Sequence, residues 1–188
     1  MVRPREFDQD AALQAAIDVF RAHGFAATSA EMLTRAMGIG RQSLYDTFGD
    51  KWKLYCSAVK RYADSELRGH RAALCVGPRA IDGIQCMIER VVTHAHEPCL
   101  GISATVEFAG SHQDLYRMRE AARRSLHAAV LEKIRQGQDE GDVTRDHTPG
   151  HLAAFVLAQV AAIRIAARGG AAASEVSALG RLALRALK

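Results

Sequence analysis

The sequence is poor in aromatic residues, at 6% of 188 positions, and only four prolines interrupt it. Hydrophobic content is nevertheless 48%, much of it alanine and leucine, a composition that favours helix over sheet. Four cysteines stand at wide spacings (Cys56, Cys75, Cys86, Cys99), and the opening MVRPREFDQD lacks the apolar core of a secretory signal. Reduced thiols in a cytoplasm are the expectation. The longest nearly uncharged apolar run, 152–163, is closed by Arg164 and is too short to span a bilayer. Enzyme signatures are missing as well. There is no HExxH and no Walker loop; Gly38-Ile39-Gly40 is no dinucleotide fingerprint, and Gly101-Ile102-Ser103-Ala104-Thr105 lacks the closing glycine of a nucleophile elbow. An enzyme and a cofactor are therefore not expected. Charge of one sign is also scarce: net charge is +4, and residues 1–62 hold nine Lys/Arg against seven Asp/Glu. Any affinity for nucleic acid must come from local placement.

What is present is a patterned stretch, TSAEMLTRAMGIGRQSLYDTFGDK, over 28–51. Gly38-Ile39-Gly40 separates two short segments with helical spacing. Thr28 followed by Glu31 reads as a capping box, with Met32, Leu33 and Ala36 on one face. In the second segment Leu44 and Phe48 point inward, leaving Arg41, Gln42, Ser43, Tyr45 and Thr47 outward. Arg and Gln can make paired contacts to base edges, and Ser, Thr and Tyr can serve bases or phosphates. Thr28 and Ser29 near a helix start, Lys51 in the first turn of the next helix and Arg3 and Arg5 in an N-terminal arm add DNA contacts. This is the pattern of a helix-turn-helix.

At this point the residues resemble a known family. The run 13–54 is similar to the N-terminal domain of TetR/AcrR-type transcriptional repressors. The resemblance rests on Ala16 and Phe20, Gly24-Phe25, Thr28-Ser29, Ala36-Met37-Gly38-Ile39, Ser43-Leu44-Tyr45, Phe48 and Lys51. Two positions depart from it. Gly40 stands where many members carry a Ser or Thr cap, and Asp46 is acidic among recognition positions, where it would repel phosphate unless it faces a cytosine amino group or an arginine. The resemblance implies an all-α fold of about nine helices. An N-terminal three-helix head (1–50) is joined by a helix over 51–73 to a larger ligand-binding and dimerisation body (74–188).

The rest of the chain fits that organisation. A first helix over 8–23 has Leu13, Ala16, Ile17 and Phe20 as its stripe and Gly24 as its stop. Trp52 opens the linking helix, where a core role is weighed against a DNA contact. Helices follow over 79–94, 99–109, 113–140, 149–167 (with Thr148 as cap and Pro149 at its first position) and 174–187. In the resembling family the last two helices pair with those of a second subunit. Ala154, Phe155, Ala158, Ala161, Ala162 and Ile165, with Val176, Leu179, Leu182, Ala183 and Leu187, make apolar, alanine-rich stripes suited to close helix approach. A dimer is also what reading two half-sites requires.

By the same resemblance, an unidentified small molecule binds the body between helices of 79–140 and releases the protein from a palindromic double-stranded operator. Met87, Val91, Ile102, Val106, Met118, Leu126 and Phe155 are lining candidates, each also readable as plain core. Glu107 and Gln159 are polar in apolar surroundings and suit orienting a ligand. The alternative is a helical small-molecule-binding protein or enzyme without DNA function, or a metal or thiol sensor. His94, His96 and Cys99 carry metal-ligand chemistry, but at a spacing that matches no standard set. No metal and no membrane partner are expected.

Overall fold

The computed structural model describes residues 7–188. Among the described residues it contains nine α-helices and no strand, so the fold class is all-α as the composition implies. The chain forms two compact units. Unit 1 takes the described residues up to Asp64 together with Cys99–Arg119; unit 2 takes Ser65–Pro98 and Glu120–Lys188. This grouping places Cys99–Arg119 with the N-terminal helices, which the linear division at 50 and 74 does not.

Unit 1 contains α1 (Gln9–His23), α2 (Ala30–Met37), α3 (Arg41–Phe48), the start of α4 (Lys51–Leu74), α6 (Leu100–Phe108) and the start of α7 (Gln113–Glu140). α1 begins at Asp8, whose carboxylate accepts from the Asp10 and Ala11 amides, and ends at Gly24 with φ 73°. Its buried face is Ala12, Ala16, Ile17 and Phe20; Leu13 is only half-buried. α2 corrects the expected capping box. Ser29, not Thr28, is its cap, accepting from Met32 N at 3.1 Å, while Thr28 is buried and its hydroxyl donates to Gly24 O. Its inward pair is Leu33 and Met37; Ala36 is exposed. Leu44 of α3 closes onto Leu54, Tyr55, Ala58 and Val59 of α4 and Leu100, Ala104 and Leu115 beyond. Trp52 belongs to the aromatic part of this core, with ring centroids 5.1 Å from Phe108 and 5.4 Å from Phe25. Each such large side chain taken from water contributes about 1.5–3 kcal/mol before the entropy of ordering is charged against it.

Unit 2 contains the end of α4, α5 (Ala80–Thr93), the rest of α7, α8 (Pro149–Arg168) and α9 (Ala173–Arg185). α5, α8 and α9 pack on one another. Ile84, Met87, Ile88 and Val91 meet Val130 and Ile134 of α7, Leu152, Val156 and Ile163 of α8, and Val176, Ala183 and Leu187 of α9. Gly180 permits the α5–α9 approach, because a Cβ there would lie 2.7 Å from Val92 Cγ2. Thr148 caps α8 by accepting from His151 N at 3.3 Å, and Pro149 takes the first helical position. The α7–α8 connection is held by Gln138, whose amide donates to Thr144 O at 2.7 Å and His147 O at 3.0 Å.

α8 needs a correction of its own. The run 152–163 is part of a 20-residue helix that is, by length and composition, apolar enough to cross a membrane. Its inner face, however, packs in the unit 2 core, and it buries Arg164 in an ion pair with Glu66. A buried, paired arginine and a packed face fit a core helix. Its outer face holds Ala154, Ala158, Ala162 and Ile165, all exposed, with Ile165 at 54%.

Candidate nucleic-acid interface

The geometry of the helix-turn-helix follows from its glycines. Gly38 ends α2 in the left-handed region, φ 65° and ψ 27°, which costs glycine nothing and any side chain about 1–2 kcal/mol. The turn is closed by Ile39 N donating to Thr34 O at 3.2 Å. Gly40 then precedes α3 in an extended conformation with no side-chain cap, so the departure at this position does leave the helix start without a hydroxyl partner.

α3 presents Arg41, Gln42 and Asp46 exposed and Ser43, Tyr45 and Thr47 half-exposed, with Leu44 alone buried. Phe48, expected inward, is half-buried. Two intrahelical contacts order the exposed set. The Arg41 guanidinium lies 5.7 Å from the Tyr45 ring centroid. Gln42 Nε2 donates to Asp46 Oδ1 at 2.8 Å. Asp46 therefore engages a neutral amide one turn away and fixes the side from which Gln42 offers its carbonyl.

The supporting residues divide. Ser29 sits at the α2 N-terminus with its oxygen already accepting the cap bond. Thr28, expected at a DNA contact, is 2% exposed, and its hydroxyl donates to Gly24 O, joining the end of α1 to the approach to α2. Lys51 is the first residue of α4 as expected, with Nζ 4.3 Å from the Phe25 ring centroid. Asp50 caps α4, accepting from Lys53 N at 2.8 Å. Arg3 and Arg5 lie outside the described residues.

Glu107, expected to orient a ligand, is engaged with the backbone of unit 1. Its carboxylate accepts from Phe25 N at 3.0 Å and Ala26 N at 2.7 Å, tying α6 to the end of α1 within unit 1. Burial, and next the Glu107 charge, push the Tyr55 phenol well above its usual range, so it stays protonated. The other lining candidates separate by unit. Ile102, Val106 and Met118 fall in unit 1, and Val106 is 79% exposed; Met87 and Val91 are fully buried core of unit 2; Leu126, Phe155 and Gln159 are half-buried there. Of the stripe offered for subunit pairing, Val176, Ala183 and Leu187 are buried within the subunit's own core. His94 Nδ1 pairs with Glu97 Oε1 at 2.8 Å, and among the described residues no group of three or more His, Cys, Asp or Glu is placed to hold a metal ion. All four cysteines are free thiols.

Residues 12–56 match the family described as bacterial regulatory proteins, tetR family. Over 153 residues the chain is 30% identical to the HTH-type transcriptional regulator YezE of Bacillus subtilis (strain 168), covering 79% of each chain. The chain belongs to the TetR family. Over 189 residues it is 26% identical to the HTH-type transcriptional repressor ComR of Escherichia coli (strain K12), covering 97% of this chain and 90% of that one. Among solved structures, a cysteine mutant of the TetR family transcriptional regulator CifR complexed with 26-bp double-strand operator DNA superimposes with a TM-score of 0.85. It is 30% identical, covering 99% of this chain and all of that one. The protein is thus a TetR-family DNA-binding transcriptional regulator with an N-terminal helix-turn-helix; its relatives are regulators, not enzymes.

Proposed function

We propose that the protein is a cytoplasmic homodimeric repressor that reads a palindromic operator with α3 and is released when a small molecule binds in the C-terminal part of the chain. The observation that carries the reading is the outer face of α3: Arg41, Gln42, Ser43, Tyr45 and Thr47 project from a helix seated by Leu44 on a packed core. Arg41 and Gln42 suit base edges, whereas Ser29, Tyr45 and Lys51 suit phosphates. The head of 1–50 and the body of 74–188 would then be the DNA-reading and ligand-sensing parts. The repressor sign is supported by the full-length likeness to ComR, described as a repressor. Cytoplasmic placement agrees with four free thiols and a DNA partner.

Dimerisation is supported by the outer faces of α8 and α9. Ala154, Ala158, Ala162 and Ile165, with Leu182 at 61% exposure, remain uncovered although apolar. Phe155, Ala161 and Leu179 are half-buried at the edges of the same faces. Small residues at four-residue spacing let a second helix approach closely, and two copies supply the two recognition helices a palindrome needs. For the effector, Leu126, Phe155 and Gln159 remain the accessible candidates of unit 2.

Selection from a random duplex library with the purified full-length protein, at stated salt, tests the reading. An enriched palindrome with half-sites about one to one and a half helical turns apart supports it. Salt-sensitive binding without an enriched motif overturns it.

A further inference from the structure

α3 carries an acidic side chain on the side turned furthest from the core. Successive residues of a helix are rotated by about 100°, so Asp46, two places after the buried Leu44, points about 160° away from it. Gln42, two places before Leu44, lies on the same outer side one turn from Asp46. Both are exposed and together form the outermost row of the helix. The adjoining row is Arg41 and Tyr45, whose guanidinium and ring lie 5.7 Å apart. A carboxylate on a helix that enters a duplex opposes the phosphates whatever the sequence. What it can add is discrimination between base edges.

The geometry of the row says which edges. Gln42 Nε2 donates to Asp46 Oδ1 at 2.8 Å. Turning the amide over would set Gln42 Oε1 against a carboxylate oxygen, acceptor against acceptor, so the Asp46 charge fixes which end of the amide faces which way. A glutamine without such a partner can offer its N–H groups to guanine or thymine, or its carbonyl to adenine or cytosine. With Asp46 in place, Gln42 Oε1 is kept for an incoming donor. A carboxylate has a second oxygen, so Asp46 can hold the amide with Oδ1 and still accept from a base with Oδ2. Hydrogen-bond donors on the major-groove edges are the amino groups of adenine N6 and cytosine N4. Guanine O6 and N7 and thymine O4 are acceptors, which a carboxylate repels.

We propose that Asp46 is a specificity-determining residue of α3, which with Gln42 selects a base bearing an exocyclic amino group, adenine or cytosine, and rejects guanine and thymine. The inference rests on the reading of α3 as the recognition helix above and names the base chemistry of its outermost row.

The test starts from the duplex enriched by the full-length protein and substitutes every position in turn. Relative affinities are measured by competition at one stated salt for wild type, Gln42→Ala, Asp46→Asn and Arg41→Ala. All three positions are exposed, so the variants should keep the fold. The position whose preference Gln42→Ala removes should hold adenine or cytosine on one strand, and the enriched base identifies which. Guanine or thymine there should weaken wild type about tenfold or more. Asparagine keeps an acceptor for the Gln42 amide, loses the charge and gains an N–H that guanine and thymine accept. Asp46→Asn should therefore reduce that preference to about threefold or less and bind scrambled duplex more tightly than wild type does. The separate preference that Arg41→Ala relaxes should persist in Asp46→Asn, which a general disturbance of α3 would not leave intact. Guanine or thymine preferred at the Gln42 position, or the same preferences in wild type and Asp46→Asn, would overturn this inference alone. Absence of any enriched motif would overturn the reading of α3 and this inference with it.

Discussion

Arg41 and Lys51 both bear positive charge near the recognition helix, yet their positions assign them different work. Arg41 is exposed in the first turn of α3, and Lys51 lies at the start of α4 beside Phe25. Arg41→Ala should cost about 1–3 kcal/mol on the selected operator and relax preference at one base pair. Lys51→Ala should weaken every duplex alike and flatten the salt dependence by one phosphate contact. Titrations of matched and scrambled duplexes across a salt series separate the two; unchanged affinity in both would remove α3 from the groove. Glu107 yields a stability prediction instead. Its carboxylate takes two backbone donors, so Glu107→Ala leaves both amides without it and should lower unfolding stability by about 1–3 kcal/mol. Thermal and urea unfolding measure this, and a neutral outcome would mean water replaces the carboxylate fully. The difference from the sequence reading has a plain cause. A carboxylate in an apolar helix signals an unmet need, but only the fold shows that the need is met by amides 81 and 82 residues away.

At the scale of elements, the helices were legible because their ends are chemical. Thr148-Pro149, Gly24, Gly38 and the Gly110-Ser111 break all lie where a helix starts or stops. Which face turns inward was less legible: α1 buries Ala12 rather than Leu13, and α2 buries Met37 rather than Ala36. Short alanine-rich helices have stripes wide enough that neighbours decide the rotation. α8 extends this point, since it is apolar nearly all round yet only one face packs in unit 2. Ile165→Glu and Leu182→Glu place charge on exposed positions, so the subunit should stay folded. Sedimentation velocity should show a shift from dimer to monomer, with operator affinity lost in parallel. Intact dimers in both variants would exclude these faces as the pairing surface.

For the molecule as a whole, the buried ion cluster of Glu66, His70, Arg90 and Arg164 makes stability depend on pH. The His70 pKa is depressed to about 4, chiefly by burial. Burial alone would raise the Glu66 pKa, but the Arg90 hydrogen bond and the charges of Arg164 and Arg90 outweigh it and leave it lowered. Both groups bind fewer protons folded than unfolded, so both contribute stability at neutral pH that acid removes. The His70 contribution is full above its unfolded value near 6.5 and falls away down to about pH 4. It amounts to about 3 kcal/mol at most. The Glu66 contribution is lost at lower pH still. Urea midpoints measured from pH 7 to pH 4 should decline, and His70→Asn should flatten the upper part of that decline. A wild-type profile level between pH 7 and 5 would show that His70 stays hydrated.

By itself the sequence determined the helical class, the order and ends of the helices, and the helix-turn-helix. These rest on local chemistry: alanine and leucine propensity, capping side chains, and glycines where only glycine tolerates the backbone. It also carried the family through the spacing of Ser43-Leu44-Tyr45, Phe48 and Lys51. Tertiary structure decided what no local pattern encodes. It grouped Cys99–Arg119 with the N-terminal helices, gave Glu107 to the Phe25 and Ala26 amides, took Val176, Ala183 and Leu187 into the core, and joined Glu66 to an arginine 98 residues distant. Burial and ion pairing depend on which residues are brought together across long separations, and that is settled only when the helices pack.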